Sequence, residues 1–191
     1  MLGNKEHAIT ESKLRLMWSR MLKVARFNSK TFLELKEDGK ATGQSVAIVA
    51  LAGISLGLGT ALINATESGV FSATGLLLGG LLGVITAISA ALVWSMTTFL
   101  IGTKLFRGST SYWGLVRPLF YSYSPALLFI LIAIPVFPIR QAAGAIVGGW
   151  TVIAGVFAVK NAMGFSNERS MLTFVVGVLI LSLLAGFFLS F

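Results

Sequence analysis

Polar and apolar positions along the chain are sorted into long blocks rather than interleaved. Residues 1–40 hold nine of the 15 Lys and Arg and five of the seven acids. From Ala41 to Thr103 the only charged side chain is Glu67, and from Ser170 to Phe191 there is none. A hydrocarbon core about 30 Å thick takes roughly 20 apolar residues per helix. The blocks therefore predict five spans, at Ser45–Ile63, Gly75–Ile101, Pro118–Val136, Ala142–Val159 and Met171–Phe191. The second is too long to cross upright and is expected to tilt or to extend past the headgroups. Barrel strands would alternate polar and apolar side chains, and Gly75-Leu-Leu-Leu-Gly-Gly-Leu-Leu-Gly83 does not. Helices satisfy their own backbone groups in lipid. The expected fold class is thus all-α: a polytopic membrane protein with a polar N-terminal segment (1–43) and a five-helix transmembrane bundle (44–191). Only Phe137-Pro-Ile-Arg-Gln141 separates the third and fourth spans, and Pro138 with Arg140 predicts a tight hairpin there.

Orientation follows from the loop charges. With five spans, fourteen of the fifteen basic side chains fall on one side and only Arg140 on the other. The positive-inside rule then puts the N-terminus in the cytoplasm and Phe191 outside, in a cell membrane. The first apolar run begins after some 40 polar residues, which makes it a first span and not a cleavable signal.

Composition narrows the chemistry. The chain is 55% hydrophobic and 12% charged, with a net charge of +8 and a mean hydropathy of +0.86. These values exclude a soluble enzyme domain, a disordered tail and a disulfide scaffold. There is no Cys, and the single histidine, His7, lies in the polar tail. A Ser–His or Cys–His nucleophile pair inside the membrane is therefore excluded, as is a His/Cys metal site. No phosphate loop is present, and no cofactor is expected. None of the spans carries an ionisable group near its centre, which argues against proton- or ion-coupled transport.

Ser12 to Phe27 reads as a basic amphipathic helix on the membrane surface. Leu14, Met17, Trp18, Met21, Leu22 and Ala25 recur at three- and four-residue spacing as one apolar stripe, with Lys13, Arg20, Lys23 and Arg26 largely off it. Such a helix suits an anionic leaflet, with Trp18 in the headgroup plane. The expected partners are the lipid bilayer and its anionic headgroups, or a cytosolic protein docking on the same face. Nucleic acid is not expected, because the basic face lies against lipid.

Within the spans, Gly53/Gly57, Gly75/Gly79/Gly83, Ala87/Ala91 and Gly144/Gly148 are small residues four apart. Such faces let helices approach closely without a hydrophobic driving force. They serve a packed bundle, a homo-oligomer or a contact with another membrane protein. Trp94, Trp113 and Trp150 read as belt or packing residues. Leu119-Phe-Tyr-Ser-Tyr-Ser-Pro125 opens the third span. Pro125 frees the carbonyl of Tyr121, and the Ser122 and Ser124 hydroxyls are placed to satisfy that break. Tyr121, Tyr123, Ser124 and Pro125 are thus candidates for a hinge or a ligand contact, or form a structural kink.

The order of elements resembles the Yip family, the Ypt-interacting-protein domain. The resemblance rests on Thr31-Phe-Leu-Glu-Leu-Lys-Glu-Asp38 before the first span, Phe120-Tyr-Ser-Tyr-Ser-Pro-Ala-Leu127, the Trp-headed Gly149-Trp-Thr-Val-Ile-Ala-Gly-Val156, and Val159-Lys-Asn-Ala-Met-Gly-Phe-Ser166 before a last apolar helix. It covers roughly residues 20–190 and implies five membrane helices with a cytosolic N-terminus. Eukaryotic members are associated with Rab-type GTPases and vesicle traffic, a role that no motif in this sequence carries over. The function expected is that of a non-enzymatic membrane organiser, scaffold or accessory subunit. The alternative is a passive route for a neutral small molecule or lipid, lined by Tyr121, Tyr123, Ser124, Thr151 and Asn161 with Pro125 as hinge.

Overall fold

The computed structural model describes residues 2–189, with side chains from Ser12 to Ile180. Seven α-helices follow one another among the described residues: α1 (Leu2–Ala25), α2 (Ser29–Glu37), α3 (Thr42–Ser68), α4 (Ala73–Leu100), α5 (Tyr112–Tyr121), α6 (Phe137–Met163) and α7 (Asn167–Leu189). Among the described residues there is no strand. Four helical segments among the described residues are long and apolar enough to cross a membrane: Gly39–Ser68, Ala73–Leu105, Tyr112–Ala133 and Phe137–Met163. The end of the expected fifth span, from residue 181 onward, lies outside the described side chains.

Local chemistry sets the element boundaries. The Asn28 side chain accepts the Thr31 N–H at 3.1 Å to start α2, and Ser72 caps α4 through Gly75 N–H at 3.3 Å. α3 and α6 both end on a left-handed glycine, Gly69 (φ 71°) and Gly164 (φ 70°). The turn between the third and fourth crossing segments is shorter and earlier than its composition suggests. α6 already begins at Phe137 with Pro138 in its first turn, since proline needs no N–H there. Only residues 134–136 connect the two segments.

The α3–α4 pair is antiparallel and packs backbone to backbone. A Cβ on Gly53 would lie 2.5 Å from the Gly83 carbonyl oxygen and 2.8 Å from the Ala87 methyl. One on Gly57 would overlap the Gly79 carbonyl, and one on Gly79 would lie 2.7 Å from Ala61. Gly53 thus faces Gly83, and Gly57 faces Gly79. The other expected small faces pack differently. Gly75 approaches only its own cap, Ser72, while Gly144 approaches Ile132 at 3.9 Å and nothing lies within 4 Å of Gly148.

The third crossing segment is broken in the middle. α5 ends at Tyr121, and a ten-residue 3₁₀ helix, Ser124–Ala133, completes the segment. Runs of 3₁₀ this long are uncommon because their hydrogen bonds are poorly aligned. Ser55 of α3 steadies this one: its hydroxyl donates to the Leu127 carbonyl at 2.7 Å and accepts the Ile130 N–H at 2.9 Å. One end of the bundle gathers Lys36, Arg117, the 102–108 segment and the 160–165 turn, linked by Arg117–Lys36, Gly102–Met163 and Phe106–Phe165 contacts. We call it the basic end. The opposite end carries an exposed ion pair, Arg140 to Glu67 at 2.7 Å.

Candidate functional site: a polar clamp under an N-terminal hairpin

α1 and α2 form a helical hairpin that docks into the bundle. Met17, Met21 and Val24 of α1, with Phe32 and Leu35 of α2, are buried in one core with Ile48, Leu115, Leu119, Tyr121, Ala158 and Ala162. Three apolar side chains assigned to the surface stripe, Leu14, Trp18 and Leu22, remain exposed. The helix therefore has two apolar faces, one against the protein and one pointing away from it.

Arg20 corrects the sequence-based expectation for this helix. It turns inward and is only 5% exposed, because it sits on the Met17–Met21–Val24 face. Its Nε and Nη2 donate to Glu34 Oε1 at 3.0 and 2.5 Å, Nη2 donates to Asp38 Oδ2 at 2.7 Å, and Nη1 reaches Gln44 Oε1 at 3.3 Å. Gln44 Oε1 also accepts the Tyr121 hydroxyl at 2.7 Å. A single guanidinium fork thus ties α1 to α2 and, through Gln44, to the first and third crossing segments. Burial alone would lower the Arg20 pKa, but the bonds to Glu34 and Asp38 and their charges outweigh it and raise it above its ordinary value. For Asp38, desolvation pushes upward, yet the bonds from Arg20 and from Lys40 N–H, with the charges of both, hold it below the usual carboxylate range. A second arginine closes the base. Arg117 donates to the Lys36 carbonyl at 2.6 Å, at the C-terminal end of α2, and to Thr42 Oγ1 at 3.1 Å.

The hairpin tip is fixed as firmly. Asn28 N–H bonds to Lys23 O at 3.0 Å and Phe27 N–H to Val24 O at 2.9 Å, closing α1 with paired C-terminal bonds. That motif puts Phe27 in the left-handed region at φ 58°, where a bulky residue costs about 1–2 kcal/mol. Stacking on Phe157 of α6, with ring centroids 5.2 Å apart, holds it there. Trp150 Nε1 donates to the Ala25 carbonyl at 2.7 Å, so this tryptophan receives a helix C-terminus instead of a headgroup.

The Tyr121–Pro125 stretch divides its work. Ser124 Oγ donates to the Tyr121 carbonyl at 2.5 Å, the group freed by Pro125, and Ser122 Oγ donates to Leu119 O at 2.6 Å. Tyr121 itself is fully buried in the clamp. Tyr123 faces elsewhere and has no hydrogen-bond partner among the described residues. With Ala126 and Phe129 it stands between two apolar cavities, one of about 830 Å³ along α3 and α4, the other of about 310 Å³ lined by Trp94, Ser122, Thr151 and Gly155. Thr151 donates to Val147 O at 2.8 Å and Asn161 to Phe157 O at 2.7 Å. Of the five side chains expected to line one polar path, Tyr123 and Thr151 border these two cavities and Tyr121, Ser124 and Asn161 do not. Lys13, Lys23 and Arg26 are exposed. Glu34, Asp38, Gln44 and Arg117 had no assigned role from sequence. Glu34 and Asp38 stand four apart, with Asp38 at the C-cap of α2, and that spacing is the signal that would have paired them with one cation.

A family model for the Yip1 domain matches residues 22–190. The chain belongs to the Yip1 domain family. No curated protein and no solved structure matches it. Within the Yip1 match fall Glu34, Asp38, Gln44 and Tyr121, whereas Arg20 stands two residues before it. As a Yip1 domain with several apolar helices able to cross a bilayer, the chain is a multi-pass membrane protein, and the family is not known for enzymes.

Proposed function

We propose that this Yip1 protein is a non-enzymatic membrane organiser: a five-span bundle, α7 being the fifth, with its basic end in the cytosol. It carries a rigidly held N-terminal hairpin against the lipid and associates laterally through its helices. The observation that carries the reading is the Arg20 clamp, which spends the only arginine buried among the described residues on fixing the hairpin to the bundle. Lateral contact falls to α6. The α3–α4 glycines are consumed internally, while a Cβ on Gly148 would meet nothing within 4 Å and Gly148 borders the cavity of about 310 Å³, a small-residue space able to receive a helix of a second copy or of another membrane protein. The test is mild solubilisation of native membranes followed by native mass analysis of wild type and of Gly144→Leu/Gly148→Leu. A defined oligomer or stoichiometric partner that disappears in the variant, with unchanged thermal stability, supports the reading. A lone monomer in both removes its basis.

A second reading rests on the two cavities that meet at Tyr123: passage of a neutral or lipidic molecule past the 3₁₀ segment. It requires flux in proteoliposomes that changes in Tyr123→Phe. The bonded state of Tyr121, Ser124 and Asn161 weighs against it.

A further inference from the structure

The hairpin does not lie across the basic end; its contacts run down the side of α6. The C-terminal end of α2 is held at the basic end by Arg117. The other end of the hairpin meets Trp150, which precedes Lys160 by ten residues, ~15 Å along α6. α2 has nine residues and rises ~13 Å. The two lengths agree, so α2 descends beside α6 from about the level of Lys160. A second marker gives the same result. A Cβ on Gly155 would lie 3.7 Å from Ser122 Oγ, beside the Tyr121–Gln44 bond, and Trp150 is a further ~7.5 Å away from the basic end. Half of the hydrocarbon core is ~15 Å. The strained Phe27 stacks on Phe157, only ~4.5 Å from Lys160 along α6, so the tip spans the levels of Phe157 to Trp150 and its far side reaches below the headgroup plane of the leaflet at the basic end.

This depth creates a chemical problem that names its own solution. Lys23, Arg26 and Lys30 are exposed around the tip and have no ion-pair partner among the described residues. The Lys160 ammonium lies 5.6 Å from the Phe157 ring centre on the same flank. Cations at such depth are costly unless paired or reached by headgroups. The surrounding face is apolar, with Leu14, Trp18, Leu22 and Leu33 all exposed, and suits acyl chains. We infer that the α1–α2 hairpin is a wedge sunk into the leaflet at the basic end, and that Lys23, Arg26, Lys30 and Lys160 form a site for the phosphate of an anionic lipid drawn below the headgroup plane. The inference deepens the lipid-facing role of the hairpin proposed above.

The absence of cysteine makes the test direct. Ser29→Cys at the tip and Lys40→Cys at the base are spin-labelled in the full chain. Each is reconstituted in vesicles of phosphatidylcholine alone or with phosphatidylglycerol. The tip label is expected to be shielded from a water-soluble relaxation agent and open to oxygen, and the base label the reverse. Retention of phosphatidylglycerol over phosphatidylcholine through detergent washing is expected to fall about fivefold for each of Lys23→Gln, Arg26→Gln and Lys30→Gln. Equal water access at tip and base overturns the wedge. A deep tip with no preference between the two lipids overturns the phosphate site. A tip that is water-exposed in vesicles but shielded in native membranes assigns the surface to a protein partner and overturns both. None of these outcomes depends on the oligomer test with Gly144 and Gly148, so the two readings fail separately.

Discussion

The α3–α4 seam and the α1–α2 clamp hold helices together by opposite means. In the seam, glycines remove every side chain between two backbones, so Gly53 meets Gly83 and Gly57 meets Gly79 with no polar group exchanged. In the clamp, one long side chain spans the gap and makes three charge-assisted bonds to two acids. The difference follows from surroundings. Between apolar spans there is no water to expel, so close packing supplies the attraction. At the basic end an arginine fork brings its own attraction and its own geometry. A seam made by removing atoms tolerates no additions, whereas a clamp made by placing charges fails when one of them is removed or neutralised.

The largest effect is expected from adding atoms to the seam. Gly57→Leu puts a side chain into the space held by the Gly79 carbonyl. Backbone cannot give way as a side-chain tip can, so the cost should exceed the about 1–3 kcal/mol of ordinary overpacking. Thermal unfolding in detergent should show loss of the folded state. Gly148→Leu, where nothing lies within 4 Å, should stay within about 0.5 kcal/mol of wild type. If the two behave alike, the seam is not the contact that holds α3 and α4.

Next comes the clamp. Arg20→Met leaves Glu34 and Asp38 without their cation and should cost about 1.5–3 kcal/mol, toward the lower figure because the Glu34 side chain is 49% exposed and remains hydrated. The loss should be local. Protease should cut between α1 and α2 earlier than in wild type while the crossing helices stay protected. Arg20→Lys keeps the charge but not the fork, and should recover only part of the protection.

The seam was legible in the sequence and the clamp was not, for a physical reason. Glycines four apart in an apolar run have few other uses, so Gly53, Gly57, Gly79 and Gly83 stood out. Spacing could not say which small face finds a partner, and Gly144 and Gly148 look the same in sequence but pack loosely. On α1, two apolar faces overlap in a single list of hydrophobic positions. Leu14, Trp18 and Leu22 merged with Met17 and Met21 into one stripe, and Arg20 fell outside it. The burial of Met17, Met21 and Val24 separates the faces, and it depends on α6, more than a hundred residues away. The kink at Pro125 lay between these cases. The Ser124 bond to the Tyr121 carbonyl is local and was readable, whereas the Tyr121 hydroxyl bond to Gln44 crosses 77 positions and was not.

A smaller effect separates two neighbouring tyrosines. Tyr121→Phe removes one buried hydrogen bond to Gln44 and should cost about 1 kcal/mol. Tyr123→Phe removes a hydroxyl with no partner among the described residues and should leave stability within about 0.5 kcal/mol. Thermal unfolding of the pair under one condition checks this. Equal losses would mean that the Tyr121–Gln44 bond adds nothing to the clamp.

The smallest effect is in pH, and its sign follows from Asp38. Arg20 and the Lys40 N–H hold this carboxyl below its ordinary value of 3.8. A carboxyl with a lowered folded pKa adds stability that is present in full above its unfolded value and is lost as pH falls through the folded one. The clamp should therefore be intact at neutral pH and loosen only in acid below about 4. Arg20, raised above an already high value, stays charged throughout and contributes nothing to this transition. The change should be smaller than that of Arg20→Met, since Asp38 is one of two acids on the guanidinium and its side chain is 27% exposed. Proteolysis of the hairpin against pH, read beside Asp38→Asn, separates the contribution. Wild type should lose protection on acidification, and Asp38→Asn should begin less protected and change less. The seam has no titratable group among its contacting atoms, so unfolding that tracks α3–α4 should not shift over the same range. A seam as pH-sensitive as the clamp would show that the two regions do not come apart independently.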